Sequence, residues 1–160
     1  VVLGLVLGLS VWNSFVAGPI QFKSLPRQMF GTLQSRQFPA YFAAQTLSSV
    51  YLLAFFYYSS PDLLHLYSPL QDERTFNFYL IAAGMLGTAV TNRLIVGPWT
   101  NGIMKERHKL ERAEGKSYTD KDVSPEMKAL STRFAKAHGV SSLLNLVFIL
   151  AALWHTAWAA

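Results

Sequence analysis

Residues 1–22 read VVLGLVLGLSVWNSFVAGPIQF, twenty-two positions without one charged side chain. An α-helix rises about 1.5 Å per residue and the hydrocarbon core of a bilayer is about 30 Å thick, so about 20 apolar residues cross it. A surface helix of a water-soluble protein keeps a charged or polar face, and this stretch has no charged one. The same reading recurs along the chain. No Asp, Glu, Lys or Arg stands between Arg36 and Asp62, between Arg74 and Arg93, or after Lys136. The sequence therefore predicts an all-α integral membrane bundle, one domain over residues 1–160, with four transmembrane helices at about 1–22, 38–58, 75–96 and 140–160. Of the 160 residues 51% are hydrophobic and 14% charged, whereas soluble chains carry about a quarter charged.

The net charge of +5 does not point to nucleic acid, because the cations sit in the connections between spans rather than on an exposed basic domain. The helix 1–2 connection holds three, Lys23, Arg27 and Arg36, and the helix 3–4 segment holds ten between Arg93 and Lys136. The helix 2–3 loop, with Asp62, Asp72 and Glu73, holds only Arg74. The positive-inside rule places the first two on the cytoplasmic, matrix or stromal side, with both termini and the helix 2–3 loop opposite. Trp154 and Trp158 near the end of helix 4 suit an aromatic belt. The organelle is not encoded. The numbering starts at Val1 and leaves open what precedes it. Read as a secretory signal, Val1–Phe22 lacks a basic n-region and is long for an h-region. The chain has no cysteine, which excludes disulfides, thiolate metal sites and cysteine nucleophiles.

Helix 3 is expected to kink or stop at Gly97-Pro98. In the hydrophilic segment, about 100–136, Ser124-Pro125 reads as an N-cap with proline at the first helical position. Met127, Leu130 and Phe134 then recur at helical spacing, predicting an amphipathic inner-face helix joined to helix 4 at Gly139. That face is either packed on its own bundle or open to a partner. There is no internal repeat.

Neutral polar and small residues recur within the spans at spacings of three and four. Helix 1 has Ser10, Asn13, Ser14 and Gln21; helix 2 has Gln45, Ser48 and Ser49. Helix 3 has Gly84, Gly87, Thr88, Thr91 and Asn92; helix 4 has Ser141, Ser142, Asn145, His155 and Thr156. Such stripes line helix–helix contacts, because polar groups in lipid need partners and small residues allow close approach. The other reading is a polar cavity. Asn92 and Asn145 are expected to hydrogen-bond across the bundle, and Gly4-x-x-x-Gly8 reads as a close-packing motif. No ionised side chain stands mid-span, where ion-coupled carriers and proton relays place one. No nucleophile elbow, phosphate loop, paired carboxylates or zinc motif is present. The chain has four histidines, His65, His108, His138 and His155, of which His108 and His138 fall on the inner side. No metal site and no cofactor is expected, a pigment or haem at His108 or His138 being the weaker alternative.

Two blocks carry a resemblance. The first runs Phe22-Lys23-Ser24-Leu25-Pro26-Arg27-Gln28-Met29-Phe30-Gly31-Thr32-Leu33-Gln34-Ser35, then Phe38-Pro39-Ala40-Tyr41-Phe42. The second takes in Asn92, Gly97-Pro98-Trp99-Thr100 with Met104, Arg107-His108 with Glu111, Phe134, and His138-Gly139 followed by Ser141-Ser142-Leu143 and Asn145-Leu146. In order and spacing they resemble the transmembrane protein 205-like family of eukaryotic membrane proteins. The resemblance implies four spanning helices and no established enzymatic activity. It points to Leu25, Pro26, Arg27, Phe30, Gly31, Gln34, Phe38, Pro39, Arg107, His108, His138, Gly139 and Ser142 as inner-face family residues. Read physically, Pro26 starts a short interfacial helix, with Leu25, Met29, Phe30 and Leu33 toward acyl chains and Lys23, Arg27 and Arg36 toward head groups.

The functional expectation is a non-catalytic structural or accessory subunit of a larger membrane assembly. Its partners would be membrane lipids and other membrane proteins or itself, not nucleic acid. Bundle polar contacts fall to Asn13, Asn92 and Asn145, and partner contacts to Gly4, Gly8, Met127, Leu130 and Phe134. The alternatives are a small-solute or lipid transport protein and a pigment- or haem-binding protein.

Overall fold

The structure, a computed structural model, describes residues 1–59 and 72–159. Every regular element among them is helical. They form four long helices: α1 (Val2–Ser24), α2 (Arg27–Ser59), α3 (Glu73–Glu114) and α4 (Pro125–Trp158). Three of these, α1, α3 and α4, are long and apolar enough to cross a membrane. At 33 residues α2 is long enough, but Gln45, Thr46, Ser48, Ser49 and four tyrosines dilute its charge-free stretch. The helix 2–3 loop with His65 falls mainly on residues 60–71, outside the described residues.

The helices differ from the sequence expectation at their breaks. α2 starts at Arg27 rather than near Phe38, so the interfacial helix expected at Pro26 is the first turns of α2 itself. Pro39 lies inside it, on an exposed position where the lost backbone bond faces outward, and its fixed φ suits a helix. α3 passes through Gly97-Pro98 without ending. Just before that pair, residues Asn92–Val96 form a wide π-helical turn in which the Gly97 N–H reaches back five residues to the Asn92 carbonyl. Widening the turn relieves the contact between a proline ring and the preceding turn's carbonyl. α1 uses the same device: a wide turn over Trp12–Ala17, with Gly18 N–H bonded to Asn13 O, precedes Pro19. The pattern Asn-x-x-x-x-Gly-Pro thus occurs twice, at 13–19 and 92–98. Glycine is required at 97, where a β-carbon would stand 2.5 Å from Asn92 O; at Gly18 the same contact, to Asn13 O, would be tight at 3.1 Å.

Ser124 caps α4 as expected, its Oγ accepting from Met127 N at 3.0 Å, with Pro125 first in the helix. Gly139 is not a joint. α4 is continuous across it, and a β-carbon there would meet nothing within 4 Å. The chain reverses instead at Gly115, whose φ of 64° is the left-handed conformation that ends α3.

Each helix packs on the next and α4 closes on α1. One end of the bundle is filled by an apolar cluster of Val6, Leu52, Phe56, Ile81, Met85 and Phe148. The other end is filled by Ile103, Leu130 and Ala137, with Leu110 and Phe134 against them. Polar side chains fill the layer between.

Candidate functional site

The middle layer is built on α1, α2 and α4. Ser10 and Gln45 are wholly buried and Tyr41 is nearly so. Gln45 Nε2 lies 3.0 Å from Ser10 Oγ, 2.8 Å from the Tyr41 hydroxyl and 3.0 Å from Asn145 Oδ1. The Tyr41 hydroxyl donates to the same Asn145 oxygen at 2.6 Å, and Asn145 Nδ2 donates to Ser14 Oγ at 2.8 Å. Gln37 Nε2 donates to Asn13 Oδ1 in the same layer. A polar group left unpaired in such surroundings costs several kcal/mol, so these bonds offset that cost for the groups they join as well as tying helices together.

Asn92 and Asn145 do not meet. Asn92 Nδ2 donates to the Ser141 backbone carbonyl at 3.1 Å, one turn along α4, while both ends of the Asn145 amide are committed to α1 and α2. Asn92 Oδ1 and Gln45 Oε1 are buried without a partner among the described residues.

The family residues gather at the basic end. Arg27 lies over the Phe22 ring at 3.7 Å and donates to the Phe22 carbonyl at 3.0 Å. Phe30 meets Phe22 edge-on at 5.4 Å, Leu25 is half-buried and Pro26 exposed. Gln34 Nε2 donates to Gln21 Oε1 at 2.6 Å, and Phe38 stacks on Phe42 at 5.6 Å. Gly31 faces His108: a β-carbon at 31 would stand 2.8 Å from His108 Cε1 and 3.0 Å from Met104 Sδ. Beside them Glu111 is buried, accepting from Gln28 Nε2 at 3.2 Å and from Tyr118 N at 3.0 Å. Arg107 packs on two rings, its guanidinium carbon 3.9 Å from the Tyr118 ring centre and 4.4 Å from that of Phe134. His138 stacks on the other neighbour of this group, Phe134, at 5.8 Å. Gly139 and Ser142 point to exposed positions.

The amphipathic face of α4 is spent on its own chain. Met127 is 0% and Leu130 7% exposed, with Leu130 and Phe134 in the cluster against Ile103 and Leu110 of α3. They are therefore not a free partner surface: α3 continues past Pro98 far enough to cover them. Gly4 and Gly8, by contrast, have nothing within 4 Å of a built β-carbon. At the opposite end His155 is buried rather than interfacial, its Nδ1 3.3 Å from Asn77 Oδ1 and its ring against Phe56 and Trp158. Among the described residues no three His, Asp or Glu side chains gather as a metal ion requires.

Gln28, Gln37, Tyr41 and Tyr118 were not singled out from sequence for these roles. A signal was available for α2: Gln28, Gly31, Gln34, Phe38, Tyr41 and Gln45 recur at steps of three and four, the period of one helix face. It begins inside what reads as a loop. Tyr118 lies in a loop with no such period.

A family model described as a domain of unknown function, DUF4149, matches residues 1–109. Transmembrane protein 205 of Danio rerio is 30% identical over 156 residues, covering 91% of this chain and 81% of that protein. No solved structure matches.

Proposed function

The chain belongs to the transmembrane protein 205-like family, a multi-pass membrane protein, and from that premise we propose that it is a non-catalytic structural or accessory subunit of a larger membrane assembly. In this reading α2 is the fourth span. Its charge-free stretch from 37 to 59 is long enough, and the amide nitrogens of Gln37 and Gln45 donate within the bundle rather than toward lipid. The basic end faces the cytoplasm, matrix or stroma.

One observation carries the reading. Most hydrogen-bonding groups of the polar layer are engaged with one another, as among Ser10, Tyr41, Asn145 and the Gln45 amide nitrogen. Meanwhile α1, the least buried of the three apolar spans at 17%, keeps Gly4 and Gly8 open. Spans in lipid do not associate by the hydrophobic effect; they use close packing and polar pairing, and open glycines on a thinly covered helix suit a neighbouring span.

The test is extraction from native membranes in mild detergent, size separation, and flux in proteoliposomes. The chain is expected to migrate in a complex larger than itself and to move no solute. A lone monomer that accelerates solute flux on reconstitution would replace this reading with transport.

A further inference from the structure

Arg107 is 93% buried, at 7% relative exposure, yet none of its N–H groups has an acceptor among the described residues. Its Nε is buried without a partner, and the salt bridge found among those residues joins Arg133 to Glu106 instead. The nearest carboxylate on its own helix, Glu111, has one oxygen engaged by Gln28 and the other by Tyr118 N. The guanidinium carbon lies over two aromatic rings, 3.9 Å from the centre of Tyr118 and 4.4 Å from that of Phe134. A planar cation packed on aromatic rings keeps its donors along its edge. That edge is a fork matched to two oxygens of one phosphate. Buried polar groups are nearly always paired, so an orphaned one marks an ion or solvent partner.

We propose that Arg107 is the anchor of a phosphate-binding site on the inner face, with Tyr118 and Phe134 as its walls. A lipid head group and a free phosphate present the same oxygens to such a fork. Gly31, beside His108, precedes the expected start of the α2 span at Phe38 by seven residues, about 10 Å of helix. Head groups occupy about 5–8 Å beyond the hydrocarbon on each side. The site therefore lies outside that layer, on its aqueous side, and a lipid would have to raise its head group to reach it. The lipid source rests on the four-span reading; the free-phosphate source does not. The loop that carries Tyr118 is held down by Glu111, so the wall is fixed before a ligand arrives.

The test uses the full chain, delipidated in detergent. Phospholipid retained per protein is measured by native mass spectrometry, and thermal stability is measured with inorganic phosphate against chloride. Arg107→Lys keeps the charge and loses the fork; if it fails to fold, Tyr118→Leu removes one wall from the loop instead. One retained phospholipid, lost in the variant, supports the site with a lipid source. Stabilisation by inorganic phosphate without retained lipid, weakened about tenfold in apparent affinity in the variant, supports it with a free-phosphate source. Absence of both, or equal binding by wild type and variant, overturns the proposal.

Discussion

Gly31 of α2 and His108 of α3 touch at the basic end of the bundle, so closely that a β-carbon at 31 would stand 2.8 Å from the imidazole Cε1. The two lie 77 residues apart in a chain of 160, and their contact fixes how far α2 and α3 have slid past one another.

Gly31→Ala gains helix propensity of about 0.5–1 kcal/mol and loses about 1–3 kcal/mol to overpacking against His108 and Met104. The interaction between the two sites is the cleaner quantity. In a cycle with His108→Ala the pair is expected to be non-additive by more than about 0.5 kcal/mol, with the alanine at 31 better tolerated once the ring is gone. Additive behaviour in detergent unfolding would separate the two helices at this level.

Gly97→Ala and Gly139→Ala should act in opposite directions. At Gly97 the new methyl would meet a backbone carbonyl, Asn92 O at 2.5 Å, which cannot rotate away; the wide turn is lost at a cost of about 1–3 kcal/mol. At Gly139 nothing lies within 4 Å and the backbone is helical, so alanine stabilises by about 0.5–1 kcal/mol. Melting temperatures of the two variants under one detergent condition decide this.

Asn145→Leu strips partners from Ser14, Tyr41 and Gln45, and is expected to cost about 1–2 kcal/mol. Asn92→Leu breaks a single bond, to the Ser141 carbonyl, and removes an oxygen already unpaired, so its cost is about 0.6 kcal/mol or less. Asn145 should couple to Gln45 and add to Asn92 within about 0.5 kcal/mol. Strong coupling between the two asparagines would contradict the observed bonding.

Asp72 caps α3, its Oδ2 accepting from Thr75 N at 2.8 Å and from Thr75 Oγ1 at 2.7 Å. The Thr75 hydroxyl and then its amide hold the carboxyl below its usual range. A lowered carboxylate pKa means the folded cap binds its proton less readily than the unfolded chain. Its stabilisation is complete above the ordinary value of about 4 and is lost as pH falls through the lowered one. Hydrogen exchange at the Thr75 amide should accelerate across that window relative to mid-helix amides. The same pH response in Asp72→Asn would assign the effect elsewhere.

Membrane orientation is read with single cysteines, since the chain has none of its own. Positions 27 and 105 are expected to label from one side, and 72 and 158 from the other. Labelling of 72 and 105 from the same side would remove the four-span arrangement.

The sequence by itself determined that this chain lives in a membrane and where its cations gather. Uninterrupted runs such as 1–22 have no stable place in water, and charge cannot cross lipid cheaply, so both follow from residue chemistry without knowledge of the fold. The Ser124-Pro125 helix start was legible for the same local reason. The helix start at Pro26 was legible too, but its unbroken run through Phe38 and Pro39, and the continuity of the helices across Pro98 and Gly139, were not. A proline or glycine breaks a helix only when nothing absorbs it, and the wide turn ahead of Gly97 does absorb Pro98. Partner choice was also beyond the sequence. Asn145 has donor and acceptor for several neighbours, and only the register of α1, α2 and α4 brings Ser14, Tyr41 and Gln45 within reach. The fate of Met127 and Leu130 depended on the length of α3: an amphipathic face looks the same whether a partner or its own chain covers it, and only the tertiary structure, by extending α3 to Glu114, supplied the cover.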